Sequence, residues 1–364
     1  MRGFTAIPIV AFSLIAVGCS SDSGGNASDS TSTTIPAATT TTAAAAATTT
    51  TAAAATTTTA AAATTTTAEP SFVETTDLVY MTIGDAELLV DVYTPVGDGP
   101  WPVVVAFHGI DSDGKDGDDT ATLAEAAVAE GLVVFAPSWI VWRPPIPPVP
   151  VPLVTFREWT DAASCAVAFA QQNAPDFGGD PANTIVYGFS AGAGVGLAAS
   201  MDANEDPIPG CSTDSPPAPV TGAVLGDGEY WLHSENFDPA FEADPAAMQA
   251  ELAALMDPAS WPTDLDAKFH LWVADDGTSP RAIDDPSDPS GWFALRDPDG
   301  SIQRDLERLD QFDDGTVTFI DAGQLLELRL SEAGIEVTMD EYPGGHTPLN
   351  KVAELVAYLK TAAR

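Results

Sequence analysis

Thr184-Ile185-Val186-Tyr187-Gly188-Phe189-Ser190-Ala191-Gly192 is the stretch that decides the fold. Its β-branched start predicts a short strand. The small residues from Ala191 to Met201 predict a helix. Between the two, Ser190 sits on a sharp turn in a Gly-x-Ser-x-Gly setting, the nucleophile-elbow arrangement that lifts the serine hydroxyl above a sheet. Glycine is required on either side because a Cβ would collide where strand and helix pass closely. The turn also aims the Ala191 N–H and the positive end of the helix at the place where an oxyanion would form. Alone, the motif says little in a chain with 29 glycines. The strand before it and the helix after it make it specific.

Working outward, the runs Phe72 to Met81 and Glu87 to Tyr93 predict an antiparallel opening pair of strands. Val103 to Phe107 is continuously apolar, as in a strand buried on both faces, and so is Leu132 to Ala136. Leu123 to Glu130 and Phe156 to Asn173 read as helices, the latter closed by Pro175 and Gly178-Gly179-Asp180-Pro181. The Pro-rich run from Trp142 to Pro150 is a stiff loop, since proline lacks the N–H that regular structure needs. After the elbow come strands at Val220 to Leu225, Lys268 to Ala274 and Ile335 to Glu341. Helices are predicted at Pro239 to Met256 (a small cap), Ile302 to Leu309, Asp321 to Ala333 and Pro348 to Ala363. Residues 278–314 look like a loop insertion with an irregular first part.

Strands alternating with helices predict a mainly parallel sheet with helices on both faces. Ligands of such sheets bind beyond the carboxyl ends of the strands. Ser190, His108, Asp276 and His346 all fall at such ends.

From about Asp85 to Arg364 the chain resembles the α/β-hydrolases, closest to their secreted carboxylesterase and dienelactone-hydrolase-like branch. The motifs carrying the resemblance are His108-Gly109, Gly188-Phe189-Ser190-Ala191-Gly192 and Gly344-Gly345-His346. It implies an α/β-hydrolase fold: a mostly parallel eight-stranded sheet flanked by helices. It also implies hydrolysis of small-molecule or polymeric carboxylic esters without a cofactor or metal. Ser190 would attack, and His346 would act as base, in the order nucleophile, acid, histidine. Asp276, with Pro280 four residues later, best matches the acid; Asp275, Asp314 and Asp227 are alternatives. Ala191 and Ile110 would supply the backbone donors of the oxyanion hole. The other histidines read differently: His108 shapes that hole, His270 lies within a strand, and His233 lies in a loop. Two other outcomes fit the same elbow: transfer to another acceptor or attack on a polyester, and a non-catalytic surface binding module.

Two tempting motifs carry little. Asp111 to Asp119 suggests a calcium loop, but Lys115 occupies a ligand position and the glycine is out of register, so a polar surface loop is expected. Gly192-x-Gly194-x-Gly196 lies inside the elbow helix and lacks the rest of a dinucleotide fingerprint. Trp139, Trp142, Trp159, Trp231 and Trp292 fall in or near loops, where they either wall an apolar pocket or pack a cap.

The first 18 residues have one early arginine and an apolar run from Phe4 to Val17, too short to span a bilayer and shaped like an export signal. Ala16-Val17-Gly18-Cys19 resembles a bacterial lipobox, in which Cys19 would be lipidated; an ordinary cleaved signal is the alternative. Residues 19–69 run from Ser/Gly-rich to blocks of threonine and alanine, a composition that cannot bury a core and suits a tether, bare or glycosylated. Residues 70–364 suffice for one large domain. Against 13 basic residues stand 53 acidic ones, a formal charge of −40, which argues against nucleic acid as a partner and suits a self-repelling extracellular monomer. A membrane would be met only through the lipid. With Cys19 set aside, Cys165 and Cys211 make an even pair in an oxidising compartment, where a disulfide is expected and two separately buried thiols are the alternative.

Overall fold

A computed structural model describes residues 72–109, 114–139, 156–201, 207–228, 232–234, 261–262, 265–275, 281–282, 292–294, 316–317, 319–346 and 351–363. All belong to the unit spanning residues 66–364. Several expected features lie outside the described residues: the leader, Cys19 and the tether; Ile110, Asp276 and Asp314; the Pro-rich run; the cap helix at 239–256; and the helix at 302–309.

The main sheet has eight strands: β1 (Phe72–Ile83), β2 (Ala86–Pro95), β3 (Trp101–Phe107), β4 (Val133–Pro137), β5 (Gly179–Phe189), β6 (Gly222–Gly226), β7 (Lys268–Ala274) and β8 (Glu336–Tyr342). Their spatial order is β1-β2-β4-β3-β5-β6-β7-β8. β2 is antiparallel to both its neighbours, and every pair from β4 to β8 is parallel. The helices are α1 (Asp118–Ala129), α2 (Phe156–Asn173), α3 (Ala191–Met201), α4 (Phe319–Glu332) and α5 (Val352–Ala362).

The continuous apolar runs are explained by what covers each face. Side chains alternate across a strand. Val103, Val105 and Phe107 join the core built with α2, α3 and α4, whereas Val104 and Ala106 join the core built with α1 and α5. On β5, Val186 faces the first core, and Ile185 and Tyr187 face the second. Both faces are dry, so neither set can be polar.

Some boundaries differ from expectation. α1 begins at Asp118 rather than Leu123, with Asp118 and Asp119 in its first turn, where the helix dipole favours acids. β5 begins at Gly179, and its pairing with β3 shifts between Pro102 and Val103, which accommodates Pro181 and its missing N–H. The irregular insertion contributes short strands: Trp292–Ala294 pairs with Leu232–Ser234, and Arg281–Ala282 with Thr316–Val317. His233 therefore lies on a strand, not in a loop.

Cys165 on α2 and Cys211 are joined by a disulfide. The segment around Cys211 continues the sheet edge: Thr82 N–H donates to the Gly210 carbonyl (2.8 Å), and Ser212 N–H to that of Tyr80 (2.9 Å). The crosslink thus ties α2 to a loop already laid against β1.

Candidate active site

Three parallel strands deliver the site. Register aligns Gly188 with Leu225 and Phe189 with Gly226 across β5 and β6, Gly226 with Trp272 across β6 and β7, and Ala274 with Tyr342 across β7 and β8. The residues just past these ends, Ser190, Asp227 and the 343–346 loop, emerge side by side on one rim.

Ser190 has φ 56°, a left-handed backbone that is uncommon for a side-chain-bearing residue and marks the strained turn. Its N–H donates to the Gly226 carbonyl (2.9 Å), and its own carbonyl accepts from Ala193 N–H (2.9 Å). The flanking glycines are sterically required: a Cβ on Gly188 would strike the Gly192 carbonyl, and one on Gly192 would strike the carbonyls of Phe107 and His108. Ala191 is the first residue of α3, so its N–H is among those that a helix start leaves without an intrahelical acceptor. Gly109 lies close on the other side, where a Cβ would stand 3.3 Å from the Ser190 Cβ.

His346 bridges the serine to a buried carboxylate. Its Nε2 lies 3.0 Å from Ser190 Oγ, and its Nδ1 lies 3.0 Å from Asp227 Oδ2. Asp227 is fully buried and also left-handed, at φ 44°. Three donors compensate its burial: His346 Nδ1–H and the Tyr342 hydroxyl on Oδ2, and Ala274 N–H on Oδ1 (2.7 Å). A carboxylate takes only a donor, so Nδ1 carries the proton and Nε2 is free to accept from the serine hydroxyl.

Among the described residues, the carboxylate that meets His346 is not the leading expectation for the acid, Asp276, which lies outside them. The carboxylate on His346 belongs to Asp227, one of the alternatives, after β6 rather than β7. Asp275 accepts instead from Gly344 N–H (3.2 Å), steadying the loop that carries the histidine. Tyr342 and the Ala274 amide escaped sequence reading, although Tyr342 stands four residues before His346.

His108 and His270 are occupied otherwise. His108 is buried; desolvation pulls its pKa down to about 4, opposed in part by the bond from Nδ1–H to the Gly109 carbonyl (2.8 Å). It stacks on Trp139, whose Nε1–H donates to the His108 carbonyl (3.0 Å). His270 stacks on Tyr358 and bonds Thr338 Oγ1 (2.8 Å); burial lowers its pKa, and Asp340 opposes this. Trp139 and Trp159 are buried and packed edge to face, so both belong to the core instead of a pocket wall.

The expected polar surface loop at 111–119 is also corrected in part. Lys115 is buried, with Nζ within 2.9 Å of Asp77, 3.0 Å of Asp91 and 2.8 Å of Asp116. Burial pulls its pKa down, but the bonds from Asp116, Asp77 and Asp91 outweigh that and raise it above the ordinary lysine value. The residue that breaks the calcium pattern is thus the cation of the cluster.

No protein-family model matches the chain, and no curated protein matches it. Its likeness is to solved structures. An arylesterase shares 14% identity, with 81% of this chain and 84% of the other aligned at a TM-score of 0.51. Carboxyl esterase 2 from the mycorrhizal fungus Tuber melanosporum shares 14%, over 81% and 89%, at 0.52. A truncated carbohydrate esterase from gut microbiota shares 14%, over 81% and 98%, at 0.53. At such identities the likeness speaks for architecture alone; with the strand order and flanking helices, it establishes that the described domain has the α/β-hydrolase fold.

Proposed function

We propose that the protein is a serine hydrolase of carboxylic esters, with Ser190 as nucleophile, His346 as general base and acid, and Asp227 as the orienting carboxylate. The observation that carries this is the continuous relay from Ser190 Oγ through His346 to Asp227, with both nitrogen–oxygen separations at 3.0 Å. Esterase neighbours on the same fold agree with it.

As Ser190 Oγ attacks the ester carbonyl carbon, its proton passes to His346 Nε2. The carbonyl oxygen becomes an oxyanion, taken up by Ala191 N–H and by a donor from the loop after His108-Gly109, where the sequence reading names Ile110. Collapse breaks the ester C–O bond, and the alkoxide leaves with the proton from His346. Water then attacks the acyl-enzyme, giving its proton to His346, and release of the acid restores Ser190. The −40 charge, the leader and the lipobox-like Cys19 support a domain exported and tethered outside the membrane by residues 19–69.

The test is a short-chain chromogenic ester together with a fluorophosphonate probe. Wild type should turn over the ester and take the label at Ser190. Ser190→Ala should lose the label, and both Ser190→Ala and His346→Ala should lose turnover by about 10⁴-fold or more. Turnover retained in both variants would end the proposal.

A further inference from the structure

We infer that Phe319 is a positioning residue, holding the His346 ring together with a second aromatic face; this rests on the esterase reading above. The Phe319 ring lies 4.7 Å from the imidazole, centroid to centroid, at an interplanar angle of 4°. The Phe189 ring also lies 4.7 Å away, at 27°. Two flat carbon surfaces therefore stack on the imidazole, while its two nitrogens are engaged at the edge by Asp227 and Ser190.

The arrangement is built into the fold. Phe189 is the elbow residue before Ser190, and its ring has room because residue 226 is glycine, where a Cβ would stand 3.1 Å from Phe189 Cδ2. Phe319 opens α4, and Gly323 lies one turn further along on the same side of that helix. A Cβ at Gly323 would stand 3.0 Å from Val273 on β7 and 3.1 Å from Met339 on β8. Glycine lets α4 sit low on those strands, and this sets the height at which Phe319 meets His346.

Two consequences follow for the reaction. The His346 side chain is 34% exposed, and a loop histidine so exposed would otherwise sample rotations that break one nitrogen contact while keeping the other. The two rings hold the plane in which both contacts exist together. When the serine proton arrives, the imidazole becomes a cation already stacked on two π clouds, a favourable arrangement.

The experiment uses the full chain with Phe319→Leu, Phe319→Ala and Phe319→Tyr. Leucine keeps apolar bulk but has no π face, so kcat/KM should fall by about 2- to 30-fold. The loss should lie in kcat with KM little changed, because Phe319 touches the imidazole rather than the ester. Alanine should cost more, and tyrosine should recover most of the rate. A second readout needs no turnover: the His346 Nδ1–H proton shared with Asp227 gives a resonance downfield of the amides. It should broaden by exchange in the leucine and alanine variants and stay sharp in wild type and the tyrosine variant. Wild-type kcat and an equally sharp resonance in Phe319→Leu would overturn the clamp. A wild type that neither labels nor turns over would sink the esterase reading instead, and the resonance would still decide the clamp.

Discussion

Replacing Asp227 by asparagine changes one oxygen to an amide group in a site where every neighbour is a donor. Oδ1 receives Ala274 N–H at 2.7 Å, and Oδ2 receives the Tyr342 hydroxyl and, at 3.0 Å, His346 Nδ1–H. If the amide NH₂ faces Ala274, two donors meet in a fully buried place. If it faces His346, Nδ1 must give up its proton and accept. The imidazole proton then sits on Nε2, which can no longer accept from Ser190 Oγ, and Tyr342 must turn its hydroxyl. Both orientations are costly, and the second leaves the enzyme folded with the wrong tautomer. A wrong tautomer in a serine triad costs about 10⁴-fold in kcat, so Asp227→Asn should lose roughly 10³- to 10⁴-fold in kcat/KM with Ser190 still present. The comparison variants are Asp275→Asn and Asp276→Asn. Asp275 only braces Gly344 from an exposed position, which predicts a loss below about tenfold, the scale of one surface hydrogen bond. The assay is steady-state hydrolysis of a short-chain chromogenic ester, with circular dichroism confirming that each variant folds. If Asp227→Asn kept more than a tenth of wild-type kcat/KM, or Asp276→Asn fell as far, the assignment of Asp227 would be refuted.

Three further outcomes are expected. Removing the Cys165–Cys211 disulfide, which closes a separation of 46 residues, should lower the unfolding free energy by about 2–4 kcal/mol, read from urea unfolding of the double alanine variant. His108 holds its pKa near 4 against 6.5 when free, so the folded state binds fewer protons in that window. Its contribution is complete above pH 6.5 and is lost as pH falls toward 4, about 3 kcal/mol in all; the stability gap between wild type and His108→Gln should shift by that amount between pH 7 and pH 4. Lys115→Met strands the buried Asp91 carboxylate and should cost about 3–5 kcal/mol, most of it recovered in Lys115→Met/Asp91→Leu; a double variant as unstable as the single would contradict the pairing.

Local patterns were readable where one physical cause acts alone. Val103 to Phe107 reads as a strand because both faces are dry, and the elbow reads from Gly188 and Gly192 because only hydrogen fits between strand and helix. The histidine at the end of Gly344-Gly345-His346 was legible through the resemblance, which keeps a histidine in the loop after the last strand. The acid was harder. Gly226-Asp227-Gly228 and Asp275-Asp276-Gly277 are near-identical signals at the ends of adjacent strands, and periodicity cannot rank them. What favours Asp227 is hydrogen-bond accounting, namely the Tyr342 hydroxyl and the Ala274 amide converging on its buried carboxylate.

The same distinction explains Lys115 and Phe319. Lys115 looked like a defect in a metal loop because its three partners come from β1, β2 and its own turn, and no local pattern joins Asp77 to Asp91. Phe319 precedes the helix read from Asp321 and carries no motif of its own. Its meaning depends on α4 being lowered onto β7 and β8 by Gly323, which meets Val273 and Met339, residues that no local pattern joins to Phe319. The proposed nucleophile and base could be located because the resemblance places them after particular strands, in the order nucleophile, acid, histidine. The groups that set their orientation arrive from whichever element packs nearby, so sequence order carries no trace of them. Substitutions at Asp227, Tyr342 and Phe319 should therefore alter how well His346 is held while leaving the elbow intact, which is why labelling of Ser190 and turnover have to be measured separately.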